Sequence, residues 1–219
     1  MINLTFLVIG IPLSAQLNAN RLAPGAVDQL TRLLNTPGMV SPATATPLGK
    51  SWYRLETDAH VFTDEVSVRQ VAAVLIDFDN MDDFFNGKRS SIKTKIISSN
   101  PNETIVDTVT ISRGPLGIQI KTPAITSLRI SENTGSRVTL EIRQLPSDSE
   151  SNRNLKGLYA LRHAEEVFIN GRSYTYIRMY TMNEVNTHIL PNAKKILERN
   201  AFPVVEEVLY MIIDAARSK

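Results

Sequence analysis

Residues 61–85 read VFTDEVSVRQVAAVLIDFDNMDDFF and place a strand end, a helix and an acidic loop in immediate succession. Ser67 stands where a helix N-cap is expected, because a serine hydroxyl can accept a hydrogen bond from the free backbone amides of the first turn. The apolar residues that follow recur at helical spacing: Val68, Val71, Ala72, Leu75 and Ile76. The stretch therefore predicts a short amphipathic helix between a strand and a loop rich in Asp and Phe.

The chain upstream of this stretch divides into three parts. Residues 51–64 have strand composition, and we place the start of the folded domain at Ser51. Residues 20–50 contain a short helical pattern over 26–34 and then TPGMVSPATATPLGK, a Pro-, Thr- and Ala-rich sequence typical of a tether. Residues 1–19 hold an apolar run followed by small residues, which is typical of a signal peptide. We expect export to a bacterial periplasm or secretion, with an apolar first element of a cytoplasmic protein as the alternative.

Downstream, strands and turns alternate as far as residue 185. Residues 137–143 (RVTLEIR) alternate strictly between apolar and polar side chains, as in a strand with one buried face. Asn170-Gly171 is a strong signal for a hairpin between the flanking strands. The last 29 residues form a long amphipathic helix with Pro203 inside it, where we expect a kink or a short break. The order of elements predicts an α+β fold with the helices on one side of an antiparallel sheet.

Two segments carry a resemblance to a known family. The opening 61–85 and the tail ILPNAKKILERNAFPVVEEVLYMI, residues 189–212, resemble the first helix and the C-terminal helix of the START-like (SRPBCC) superfamily of polyketide cyclases, lipid-transfer domains and Bet v 1-type proteins. The resemblance covers about residues 51–217 and implies a helix-grip fold, in which a curved sheet wraps the long helix around an apolar cavity. It also implies a small hydrophobic ligand, such as a lipid, sterol or polyketide, and transient membrane contact during ligand exchange.

Composition and motifs exclude several other functions. The 24 Lys and Arg against 22 Asp and Glu leave a formal charge of +2, without a basic run that could follow a nucleic acid backbone. There is no cysteine, so disulfides are excluded. The acidic stretch 77–83 lacks the glycine that a calcium loop needs at its sixth position, so we expect a solvated loop and no metal. No cofactor motif is present.

The expected ligand-binding residues are apolar side chains on strands and on the last helix. Periodicity alone does not distinguish a hollow interior from a filled core. The strands contribute Ile105, Val109, Ile118, Ile120, Leu140, Ile142, Tyr159, Leu161, Ile177 and Met179, and the helix contributes Leu197, Val205, Val208, Leu209 and Ile212.

Three residues are weak catalytic candidates. His163 and Glu165 share a strand face with Tyr159, and an acid and a base at these positions could act on an enolisable substrate if that face is concave. The alternative is a polar strip beside solvent. The function that we expect is ligand binding or transport, with a cyclase or aromatase as the first alternative and a protein-interaction module with a filled core as the second.

Overall fold

The computed structural model describes residues 33–113, 119–146, 155–169, 171–187 and 192–219. The predicted signal peptide, most of the helical pattern over 26–34 and Ile118 lie outside the described residues. The elements are β1 (Gly38–Gly49), β2 (Trp52–Thr63), α1 (Val68–Leu75), a 3-10 turn (Phe78–Asn80), α2 (Met81–Phe84), β3 (Ser90–Ser99), β4 (Thr104–Arg113), β5 (Gln119–Thr134), β6 (Arg137–Gln144), β7 (Leu155–Ile169), β8 (Arg172–Asn186) and α3 (Ala193–Arg217).

The strands form one curved, open antiparallel sheet with the order β1-β2-β8-β7-β6-β5-β4-β3. Apart from the step from β2 to β8, neighbours in the sheet are neighbours in the chain, so short turns connect most pairs. The β7–β8 hairpin turns at Gly171, whose φ of +77° suits glycine, as the Asn-Gly pair predicted. Within the described residues, no helix combines the length and the apolarity needed to cross a membrane.

The predicted N-cap of α1 is present. The Ser67 hydroxyl accepts a hydrogen bond from the Gln70 amide at 3.3 Å, and the Gln70 side chain accepts one from the Ser67 amide at 2.9 Å. This reciprocal capping box satisfies two backbone donors that a helix start leaves free, and it fixes where the chain leaves β2 and enters α1.

The sheet begins earlier than we expected from the sequence. Residues 38–49, which we assigned to the tether, form edge strand β1 and pair with β2. The apolar alternation here is carried by small residues, since Ala43 and Ala45 are buried between exposed threonines. Pro47 is tolerated because an edge strand has one side free of sheet hydrogen bonds. Because the buried side chains of β1 are small and the strand contains proline, apolar periodicity does not identify it as a strand.

Strand β5 runs through Pro123 without interruption. Pro123 pairs with Val109 of β4, but β6 pairs only with β5 residues from Thr126 onward. The missing N–H of Pro123 therefore costs no hydrogen bond to β6, and the proline remains within the strand.

The helices cover one face of the sheet, which we call the inner face. The main core cluster on this face unites strand residues such as Val61, Leu140 and Ile177 with helix residues such as Val71 and Leu209. The opposite, outer face carries a smaller apolar cluster of Phe62, Val167, Ile169 and Tyr176, against which Leu33 and Leu34 pack.

Candidate functional site

The register of the sheet assigns each strand residue to one face, because paired residues share a face and side chains alternate along a strand. One inner row runs through Leu140, Arg162, Met179 and Ala59 across β6, β7, β8 and β2. The next inner row runs through Ile142, Ala160, Thr181 and Thr57. The inner face is therefore apolar where it meets α1 and becomes polar farther along the strands.

Eight of the expected ligand-binding residues lie together on the inner face or on the facing side of α3. They are Leu140, Ile142, Ile177 and Met179 on the sheet and Val205, Val208, Leu209 and Ile212 on the helix. Leu197 is half-buried in α3 and lies outside this cluster. Ile120 is in β5, and its side chain is outside the described residues.

Four expected ligand-binding residues lie on the outer face instead. Ile105 and Val109 of β4 alternate with Val106, which is fully buried in the inner core. Tyr159 and Leu161 of β7 alternate with Ala160 and Ala164, which are also inner-core residues. Their register excludes these four from the space between sheet and helix.

The reason for this difference is that β4 and β7 carry their larger apolar residues outward. The inner residues of β4 include Thr104, Thr108 and Thr110 besides Val106, and those of β7 are Ala160, Arg162 and Ala164. The usual rule that the more apolar face points to the core assigned both strands to the wrong face. The inner side of these two strands, which β5 and β6 separate in the sheet, therefore carries mainly small and polar side chains.

Buried polar atoms without partners are concentrated on the inner face. Five buried side-chain atoms of the described residues lack a hydrogen-bond partner. Four of them, Thr57 Oγ1, Thr94 Oγ1, Arg162 Nε and Asn183 Oδ1, belong to residues that share inner-face parity with core residues of their own strands. More than about 90% of buried polar groups in proteins have a partner, so the concentration of exceptions on the inner face calls for an explanation.

Sequence reasoning missed Arg162, which is 8% exposed near the middle of β7. Its guanidinium carbon lies 4.6 Å from the centre of the Phe85 ring. Burial alone lowers the pKa of Arg162 to about 10, so the side chain stays charged at neutral pH. The available signal was the Ala-Arg-Ala spacing of residues 160, 162 and 164, which is an unusual composition for a buried strand face.

The catalytic candidates His163, Glu165 and Tyr159 lie on the outer face. His163 Nδ1 is 2.8 Å from the Thr139 hydroxyl, and Nε2 is 3.8 Å from Glu165. Burial disfavours ionisation of Glu165, but nearby His163 and Arg137 outweigh this effect and hold the pKa of the carboxyl below its usual value. These residues form a structural ionic strip on the side of the sheet away from α3.

The same strip contains a buried neutral histidine. Asp58 binds Arg178 through two hydrogen bonds of 2.8 and 2.6 Å, and His60 lies beside this pair at 4% exposure. Burial is the main reason that the pKa of His60 falls to about 4; Arg178 lowers it further and Asp58 opposes both. Glu184 lies on the same outer face and pairs with Arg54 at 3.0 Å.

Side-chain contacts anchor α3 at three places. Near its start, Glu198 accepts a hydrogen bond from the Ala45 amide of β1 at 3.1 Å. In its middle, Glu207 accepts bonds of 2.8 to 3.1 Å from the amides of residues 88–90, just before and at the start of β3. At its end, Arg217 contacts Glu65, and Lys219 reaches Asp77 at 2.9 Å. The helix is thus tied to both edges of the sheet.

The helix runs through Pro203 without a break. A proline lacks the N–H that would bond to the carbonyl four residues earlier, so one helical hydrogen bond is missing between the Glu198 and Glu207 anchors. The short break is therefore absent, and Pro203 lies within a continuous helix that lacks one hydrogen bond.

The acidic stretch 77–83 stabilises the fold around α2. Asp77 accepts a hydrogen bond from Asn80 at 2.7 Å and pairs with Lys219, which is the main cause of the lowered pKa of Asp77. Asp82 accepts a bond from the Thr94 amide at 2.6 Å. The described residues contain no cluster of three or more His, Asp or Glu side chains that could hold a metal ion.

No family model matches the chain, and no curated protein matches its sequence. Solved structures resemble it. The human StAR-related lipid transfer protein 5 matches with a TM-score of 0.57 and 7% identity, over 82% of this chain and 88% of that one. The di-domain ARO/CYC StfQ from the steffimycin biosynthetic pathway matches with a TM-score of 0.47 and 14% identity, over 75% and 52%. The STAR-related lipid transfer protein from Xanthomonas axonopodis matches with a TM-score of 0.44 and 9% identity, over 78% and 99%. The first likeness, together with the open antiparallel sheet and the long C-terminal helix, identifies the fold of this chain as the START-like helix-grip fold.

Proposed function

We propose that the protein binds a small hydrophobic ligand, such as a lipid, sterol or polyketide, between the inner face of the sheet and α3. The observation that carries this proposal is the set of buried, unpartnered polar atoms of Thr57, Thr94, Arg162 and Asn183 on the inner face. An unpartnered polar group in a filled core costs about 1–3 kcal/mol, whereas the same group in a binding site gains a partner from ligand or water. A ligand-filled interior therefore accounts for these atoms better than a packed one.

The distribution of side-chain size supports the same proposal. Ala160 and Ala164 on β7 and Thr108 on β4 face inward, while Tyr159, Leu161 and Val109 face outward. Binding sites for small molecules are concave and mostly apolar, with a few polar groups that orient the ligand. The inner face has this composition.

The structural likeness adds a further argument. The human protein whose fold resembles this chain is named for lipid transfer. We extend lipid binding to the present chain as part of the proposal.

The two alternatives receive less support. A cyclase that used His163, Glu165 and Tyr159 would need them beside the substrate, but all three are on the outer face. An interaction module with a filled core gives no reason for four unpartnered polar atoms on one face. We therefore favour a binding or transport protein.

We further infer that ligand exchange uses a local opening of α3 at Pro203. The anchors at Glu198 and Glu207 hold the helix on either side of the missing hydrogen bond, so the segment between them can separate from the sheet while both ends stay attached. Transient contact of this segment with a membrane would let a lipid enter or leave.

The first experiment is native mass spectrometry of protein purified from its own host, followed by organic extraction. A stoichiometric hydrophobic adduct supports the proposal and gives the class of ligand. A bare polypeptide mass, combined with no binding of the fluorescent probe N-phenyl-1-naphthylamine to the extracted protein, contradicts it.

A matched pair of variants tests which face binds the ligand. Thr108 points inward and Val109 points outward at adjacent positions of β4, and both are half-buried. Thr108→Trp should fill the interior and reduce binding of N-phenyl-1-naphthylamine by about tenfold or more, since it occupies the volume that the probe needs. Val109→Trp should leave binding within about threefold of the wild type. Loss of binding in the Val109 variant alone would place the site on the outer face.

A further inference from the structure

Arg162 is a buried cation for which the described part of the chain supplies no counter-charge. It projects from the inner face of β7, between Leu140 of β6 and Met179 of β8, and only 8% of it is exposed. Its Nε has no hydrogen-bond partner, and no carboxylate of the described residues forms an ion pair with it. Its close neighbour is the ring of Phe85, which is 1% exposed.

Among the described residues, the buried carboxylates of Asp58 and Glu165 are neutralised. Arg178 forms two short hydrogen bonds with Asp58, and Glu165 pairs with Arg137 at 3.1 Å. Both pairs are on the outer face. The buried ions on the outer face thus have counter-charges, whereas Arg162 on the inner face has none among the described residues.

The position of Arg162 also matches the polarity of its surroundings. The inner row on one side of it contains Val138, Ala164, Ile177 and Val61, which are fully buried apolar residues. The row on the other side contains Thr181 and Thr57, and the unpartnered Thr57 hydroxyl belongs to it. A ligand head group at Arg162 would therefore lie where the apolar lining ends and free hydrogen-bonding groups begin.

A charged guanidinium in a water-poor interior strongly favours an anion, because desolvation is offset when the two charges meet with hydrogen bonds between them. The guanidinium is planar and presents paired N–H donors that match the two oxygens of a carboxylate or phosphate. The Phe85 ring, whose centre lies 4.6 Å from the guanidinium carbon, helps to hold the side chain in place before the ligand arrives.

We propose that Arg162 binds the anionic head group of the ligand, so that the natural ligand is an amphipathic carboxylate or phosphate inserted with its charged end towards β7. This inference rests on the proposed function and specifies the class of ligand. A neutral sterol or wax would leave the buried cation unpaired, and a cationic amphiphile would be repelled by it.

The test compares four single-chain amphiphiles as competitors of N-phenyl-1-naphthylamine, which is itself neutral: dodecanoate, dodecyl phosphate, dodecanol and dodecyltrimethylammonium. The wild-type protein should bind the better of the two anions about 30-fold more tightly than dodecanol, the gain expected for a charge-assisted pair. The ratio of the two anions identifies carboxylate or phosphate as the preferred head group.

Variants then assign the preference to Arg162. Arg162→Met should bring the affinity for the anion down to that for dodecanol, while binding of dodecanol and of the probe changes by less than about threefold. Arg162→Lys, which keeps the charge without the fork, should be intermediate. The control Arg129→Met replaces an exposed arginine of β5 and should behave as the wild type.

The outcomes separate this inference from the proposed function. If the probe and dodecanol bind but the anions bind no better, the anionic site is refuted while hydrophobic binding stands. If neither the probe nor any amphiphile binds, both proposals fail. The preference for anions over dodecanol is measured on the wild-type protein, so it remains a valid test even if the Met variant does not fold. In that case the Lys variant, through its intermediate affinity for the anion, tests whether Arg162 causes the preference.

Discussion

Replacement of Arg162 by Met should make the ligand-free protein more stable. The pKa of Arg162 falls from 12.5 to about 10 through burial alone. At 1.36 kcal/mol per pKa unit, this corresponds to a cost of about 3 kcal/mol for keeping the charged form in the folded protein. Met has a similar length and can pack on Phe85, but it loses a cation–π contact worth about 1 kcal/mol. The net gain in the free energy of unfolding is about 2 kcal/mol.

Urea denaturation of delipidated protein measures this gain directly. For a chain of this size, about 2 kcal/mol corresponds to a rise of about 4–8 °C in Tm. The exposed control Arg129→Met should change stability by less than about 0.5 kcal/mol. Saturating dodecanoate should remove most of this difference, because it binds the wild-type protein about 30-fold more tightly than the Met variant, which is worth about 2 kcal/mol. A ligand-free Met variant less stable than the wild type would show that Arg162 is compensated within the protein, and the reasoning from its isolation would fail.

Three further predictions concern other parts of the molecule. The pKa of His60 is about 4 in the folded protein and about 6.5 when unfolded, so protons bind the unfolded state more tightly. The free energy of unfolding, measured by urea titration, should therefore fall by up to about 3 kcal/mol as the pH drops from about 6.5 to 4. His60→Gln should make this fall smaller. Glu207→Gln should weaken the anchor on residues 88–90 by about 1–3 kcal/mol and speed hydrogen exchange of their amides, whereas Glu206→Gln should not. Pro203→Ala should restore a helical hydrogen bond and slow release of N-phenyl-1-naphthylamine in stopped-flow measurements; an unchanged rate contradicts opening at Pro203.

Local structure could be predicted from the sequence where one residue type specifies one conformation. Ser67 and Gln70 form the cap of α1, and Gly171 turns the β7–β8 hairpin with a positive φ. The alternation over 137–143 assigns Val138, Leu140 and Ile142 to the core, as found. In each case the chemistry is contained within a few neighbouring residues, so no knowledge of the partner strands is needed.

The faces of β4 and β7 could not be predicted, and this failure is informative. Their larger apolar residues, among them Val109 and Leu161, lie outside, and Thr108 and Arg162 lie inside. Apolar periodicity identifies the face with the larger apolar side chains, and on these two strands that is the outer face. Strand β1 was missed for another reason, since its buried face is made of alanines that differ little from a linker.

The two faces of the sheet treat buried polar groups differently, and the difference distinguishes between the possible contents of the interior. On the outer face, Asp58 pairs with Arg178 and Thr139 with His163, so the groups satisfy one another. On the inner face, Arg162 and Thr57 are left with unpartnered atoms where the apolar lining ends. An ordered water molecule needs two to four polar partners. Beside Arg162, polar partners are available on one side only, because the row on the other side contains Val61 and Ile177. An amphiphile meets both demands, because its head group pairs with Arg162 while its apolar body contacts the residues that water would leave unsatisfied.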